Sequence, residues 1–216
     1  MDWATKRKFI ILSVIAAVVF ALSAVILFWV LYDQPTCSDG VQNQNETGVD
    51  CGGVCRAVCP DDAAAPIVLW ERAFPASEGR YNLVAYTENP NTTSRAPVAA
   101  YEFKIYDRDN VLLDTVQGTT SIPPNQLLAV FEGPLVFDRE PARVTFRFAD
   151  SIAWLSVDQR SENPITVSNR TFSSLETRPR VQAEFTNTSI EPVRNIEAIA
   201  VVYDSDNVAI GASRTV

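Results

Sequence analysis

Arg143-Val-Thr-Phe-Arg-Phe148 is the stretch that decides the fold: Val144, Phe146 and Phe148 alternate with Arg143, Thr145 and Arg147. Successive side chains on a strand point to opposite faces. The segment therefore reads as a half-buried antiparallel strand, one side apolar and the other wet. Working outward, the same character recurs in Ile67-Val-Leu-Trp70, Tyr81-Asn-Leu-Val-Ala-Tyr86, Ala100-Tyr-Glu-Phe-Lys-Ile-Tyr106, Val111-Leu-Leu113 and Leu127-Leu-Ala-Val-Phe131. Asn, Pro, Gly and Asp interrupt these runs every 8 to 12 residues or so, the punctuation of strands and turns. After Tyr32 no stretch carries the period of an amphipathic helix.

An all-β exterior follows, and strands at this spacing predict immunoglobulin-like β-sandwich modules in tandem. The tandem comes from an internal repeat. Tyr106-Asp-Arg-Asp-Asn-Val111 returns as Tyr203-Asp-Ser-Asp-Asn-Val208, an offset of 97, and each copy reads as a hairpin turn between two apolar runs. Upstream, Tyr86-Thr-Glu-Asn89 parallels Phe185-Thr-Asn187, and Pro97 and Pro192 are each expected just before the next strand. The first module is assigned to 66–163 and a partial second to 164–216. The second has 53 positions where the first has 98. Half a sandwich exposes strand edges and an apolar face. The expectation is that the sequence is a fragment of a longer protein, or that a partner supplies the missing strands by β-augmentation.

Phe103-Lys-Ile-Tyr-Asp107 resembles the signature of the FxLYD family, small β-sandwich domains of exported and membrane-attached prokaryotic proteins, with Ile105 where that signature prefers Leu. In the second copy Ala200-Val-Val-Tyr-Asp204 lacks the aromatic start. The resemblance implies fold and export, and it transfers no catalytic residues.

Phe9 to Tyr32 is a run of 24 positions without a charge. As a helix it would be about 36 Å long, enough to cross a hydrocarbon core of about 30 Å. Lys6, Arg7 and Lys8 flank it on one side, Asp33 on the other, and Phe28, Trp29 and Tyr32 suit the outer interface. The positive-inside bias makes 1–8 a cytoplasmic tail and 9–32 a transmembrane helix, with the rest extracytoplasmic. A signal peptide cut near Ala21-Leu22-Ser23 is the competing reading; it would leave Val25–Leu31 as a greasy new start.

Segment 33–65 holds all four cysteines, Cys37, Cys51, Cys55 and Cys59, spaced C-x13-C-x3-C-x3-C. Outside the membrane they predict two disulfides in any of three pairings, with a zinc site as the competitor. Between the first two cysteines, Asp39, Asn43, Asn45, Glu46 and Asp50 offer oxygen ligands that calcium favours, though not at EF-hand spacing, and the same residue types are default turn formers. CSDGVQNQNETGVDCGGVC also resembles a short motif of bacterial surface and secreted proteins, C-x-DGxxNxxETxVDCGGxC, which implies an exported surface protein. Pro60 to Pro66 reads as a linker.

Charge and missing residues narrow the function. Three of the 18 basic residues and one of the 26 acidic ones precede the apolar run, which leaves 15 against 25 beyond it. Such a surface repels nucleic acid. With no histidine in the chain, Ser-His-Asp and Cys-His catalysis are excluded; no enzyme site and no cofactor are expected. The bilayer is the expected partner, together with a protein partner contacted through strand edges or the loops Asn89–Arg95, Asp107–Asn110 and Ser121–Gln126. A stalk or interaction module fits best. A spacer for an enzyme domain beyond residue 216 and a strand-exchanging assembly subunit are the alternatives. Asn45, Asn91, Asn169 and Asn187 stand in N-x-Ser/Thr contexts.

Overall fold

The computed structural model describes residues 3–31, 36–157, 164–173 and 180–215. Helix α1 (Trp3–Leu31) begins before the cationic flank, so Lys6, Arg7 and Lys8 lie within its first turns. Among the described residues its apolar side chains join no buried core: Phe20, Trp29 and Val30 are among its most exposed residues. Apolar all round and unburied, the helix has the length and composition of a membrane span or of a signal sequence. Tyr32 and Asp33, expected to close the span, lie outside the described residues.

Two sheets form the first sandwich. In one, β1 (Ile67–Ser77) and β2 (Arg80–Glu88) make a hairpin; in the other, β3 (Ser94–Tyr106) pairs with β4 (Leu112–Ile122). Strand β5 (Leu127–Val136) then returns beside β2, and β6 (Arg143–Phe148) beside β3, all antiparallel. The two-residue β7 (Leu155–Ser156) pairs with the start of β3. The alternation read in Arg143–Phe148 falls on β6, with Val144 and Phe146 buried and Arg143 and Arg147 exposed. Between the sheets lie Leu83, Ala85 and Val130 from one side and Phe103, Ile105, Val144 and Phe146 from the other. The Phe103 and Phe146 rings are 4.7 Å apart at an angle of 57°, a favoured aromatic geometry. Each large side chain fully buried here contributes about 1.5–3 kcal/mol. Pro97, expected ahead of the strand, lies inside β3, where the register slips between Ala96 and Ala99. A bulge tolerates a residue that has no N–H to give.

The second copy contributes two separate hairpins. Strand β8 (Ile165–Ser173) pairs with β9 (Arg180–Asn187), and β10 (Ala198–Tyr203) with β11 (Ala209–Thr215). The β10–β11 hairpin repeats β3–β4 at the offset of 97: Ile105 faces Asp114 as Val202 faces Gly211, and both ladders slip at the next residue, Tyr106 or Tyr203. The turns repeat bond for bond. Asp107 Oδ1 accepts from the N–H groups of Asp109 (2.9 Å) and Val111 (2.8 Å), as Asp204 Oδ1 does from Asp206 (3.0 Å) and Val208 (2.8 Å). Asn110 and Asn207 both take φ of 59°, the left-handed region that Asn tolerates. The β10–β11 hairpin covers the outer face of β1–β2–β5, where Phe74, Val84, Phe131 and Ala209 form a second buried cluster. With a sheet on one side and a hairpin on the other, β2 is buried from Asn82 through Ala85 with no alternation.

Candidate functional site

The first sandwich has two ends that differ in what they expose. At the end where the cysteines lie, the disulfides are Cys37–Cys55 and Cys51–Cys59. Paired this way, the four sulfurs have no thiolate to give to zinc. Gly52 and Gly53 take φ of 71° and 57°, and a side chain at either would run into Thr47 Oγ1 or the Asn45 carbonyl. The Gly-Gly between Cys51 and Cys55 is thus dictated by a left-handed turn in close contact with the loop before it.

That loop is closed by its own carboxylates. Asp39 Oδ2 accepts from the Thr36 N–H and from Asn43 Nδ2, and Oδ1 from the Val41 N–H, each at 2.9 Å. These bonds, the Thr36 one foremost, hold the Asp39 carboxyl below its ordinary value. Both Asp50 oxygens accept from the Gly40 N–H, and Glu46 Oε2 accepts from the N–H groups of Asn43 and Asp50. Glu46 is buried, with Oε1 3.0 Å from Cys55 Sγ; a disulfide sulfur has no proton, so this is packing contact. Among the described residues Asn43 Oδ1 is buried without a donor, and Asn45 sits exposed at φ 81°. The residues expected as calcium ligands are therefore brought together, with three carboxylates turned onto backbone N–H groups.

The stretch read as a linker is stitched to the sandwich. The Asn91 side chain donates to the Ala64 carbonyl and accepts from the Ala64 N–H, both at 2.8 Å. Val58 N–H donates to Trp154 O (3.0 Å) and Ser156 N–H to Arg56 O (2.7 Å). Trp154 is buried with Ala96, Ala99 and Ile122, and Val58 and Ala63 pack against them. The loops at 89–95 and 121–126 meet at this same end. Buried Asn89 donates to Ser94 O and Pro123 O, and Asn125 N–H donates to Asn91 O. These two expected contact loops are occupied by each other and by the cysteine segment.

Loop 107–110 lies at the other end of β3, about 40 Å away along a 13-residue strand. Here Asp107, 5% exposed, takes the ion pair of Arg139, while Arg108 pairs with Glu140 at 2.9 Å. Arg143 stacks over the Tyr106 ring at 4.0 Å and donates to Asn110 Oδ1. This end carries charged heads facing solvent. Along the outer face of β3–β4–β6 runs a shallow groove of about 560 Å³ past Glu102, Gln117, Gly118 and Arg147. Hydrogen bonds from Gln117 and Arg147 depress the Glu102 carboxyl. Beneath Gly118, Tyr101 donates to Glu132 Oε1 at 2.7 Å; burial and then this bond raise its phenol. Those groups are bonded to one another.

Sequence reasoning missed the residues that join the two copies: Arg72 donates to Ala209 O and Asn82 to Ala212 O, each at 3.0 Å. Among the sequons, the Asn91, Asn169 and Asn187 amides already donate to Ala64 O, Glu184 and Glu191 O. No family model, curated protein or solved structure matches this chain.

Proposed function

We propose that the chain is a single-pass membrane protein whose β-rich region stands outside the bilayer as a structural stalk and protein-interaction module, without catalytic activity of its own. One observation carries this reading: an unburied helix without a charge from Phe9 onward, with Lys6, Arg7 and Lys8 in its first turns and a disulfide-closed segment beyond its other end. The asymmetry of basic residues orients the tail inward, and disulfides suit an oxidising exterior. The resemblance to immunoglobulin-like FxLYD modules and to a bacterial surface motif supports the same placement. The cysteine segment then acts as a collar that holds the first sandwich to its anchor. The distal end, with Arg108, Glu140 and the loop 107–110, is the surface offered to a protein partner.

Protease added to intact cells should remove the β-rich region and leave a membrane-retained fragment containing α1. A β-rich region untouched on intact cells but cut after lysis would overturn the orientation. A mature chain whose mass begins after Ser23 would replace the anchor by a cleaved signal.

A further inference from the structure

The two copies differ most where they touch. Register pairs Glu102 with Gln117 and Lys104 with Thr115 on the outer face of the first copy's β3–β4 hairpin. At the same positions the second copy has Ile199 with Arg214 and Val201 with Ala212. A polar outer face has become apolar, and this is the face laid against the first copy. The receiving face has changed in the opposite sense. On β1–β2 the register pairs are Trp70 with Tyr86, Arg72 with Val84 and Phe74 with Asn82. Asn187 repeats the turn bond of Asn89, which sets Glu184 rather than the expected Phe185 at the place of Tyr86; the counterparts on β8–β9 are then Ser168 with Glu184, Thr171 with Gln182 and Ser173 with Arg180. Every one of those six is polar or charged.

We infer that the two copies are specialised as a complementary pair that docks once and does not propagate. The first copy presents an apolar socket and a wet hairpin; the second presents an apolar hairpin and a wet socket. Aromatic and charged groups fix the contact. Trp70 stacks on Tyr86 at 5.4 Å and meets Tyr203 edge-on at 6.3 Å, while the Arg214 guanidinium lies 5.0 Å from the Phe131 ring centre. Three side-chain donors, Arg72, Asn82 and Arg214, each reach a backbone carbonyl across the joint. A partner at a sheet edge needs main-chain hydrogen bonds; this joint instead uses the faces, and among the described residues β9 pairs with β8 alone. The inference holds whichever side of a membrane the region occupies.

Hydrogen exchange on the full chain in detergent tests it, with Val201→Glu, Ala212→Asp and, as control, Ile210→Glu, whose side chain is 56% exposed. Val201→Glu and Ala212→Asp should raise exchange about tenfold or more across 198–215, while 100–106 and 143–148 keep their protection. Ile210→Glu should change neither. Equal effects of the three variants would overturn the docking face. Loss of protection at 100–106 as well would show one indivisible core and overturn the paired-module reading. Light scattering on the unaltered chain should give a monomer; a dimer that Val201→Glu dissociates would place the joint between two chains and overturn the intrachain pairing.

Discussion

The first copy is closed and the second is open, although the two share their turns. In the first, Leu83, Phe103, Ile105 and Val144 meet between two sheets and lose nearly all contact with water. In the second, the corresponding inward face of β8–β9 leaves Val167, Phe172, Val181 and Phe185 exposed, the last at 44%. None of these four joins a buried cluster among the described residues. The contrast separates two scales of information. Asp107 and Asp204 set identical hairpins because each bonds its own backbone two and four residues on. Such local bonds specify a turn, whereas a sandwich also needs strands brought in from far along the chain, as β5 and β6 are in the first copy.

Truncation in the two copies should expose the difference most. Phe103→Ala should cost about 3–5 kcal/mol by cavity formation, read by denaturant unfolding of the full chain in detergent. Phe185→Ala should cost well under about 1 kcal/mol, since its ring is already largely in water. Equal losses would mean that β8–β9 is packed in solution as β1–β2 is. Opening the Cys37–Cys55 bridge by a paired Ser substitution should cost the collar about 3 kcal/mol on chain-entropy grounds. Amide exchange should then rise at 36–58 and leave Leu83 and Phe103 protected; spread into the sandwich would mean that collar and sandwich unfold together.

Asp107→Ala should destabilise by about 2 kcal/mol, because it strands Arg139 as well as two backbone donors. Asp204→Ala, on an exposed turn, should cost about 1 kcal/mol or less. The smallest effect is one of pH. The Asp39 carboxyl is depressed in the folded loop, so its contribution is complete above the ordinary Asp value of about 4 and fades as pH falls through the folded value. The Val41 amide resonance should follow that titration while the Phe103 amide does not; a Val41 signal that shifts instead on raising the pH would contradict the bond.

Much of this was legible from residue pattern. The strict alternation of Arg143–Phe148 yielded a strand with the expected faces, and the recurring Tyr-Asp-x-Asp-Asn-Val located both turns. The disulfide partners were not legible, since four cysteines allow three pairings and only the folded loop, with Glu46 at its centre, selects one. Nor was the stitching of 60–66 to Asn91 and Trp154, because a hydrogen bond across 27 residues leaves no periodic trace. The joint between the copies lay in plain view once they were aligned, in Ile199 and Val201 replacing Glu102 and Lys104. A strand apolar without interruption, as Ala198–Tyr203 is, reads equally well as facing its own core.

Enclosure of β2 on both sides also limits what that strand can become by mutation. A strand with one wet face accepts a charge at every second position. From Asn82 to Ala85 a lysine scan should find no tolerant site, because each parity points into a different apolar layer. Drift at this strand is confined to swaps of similar volume, and its neighbours must adapt to it.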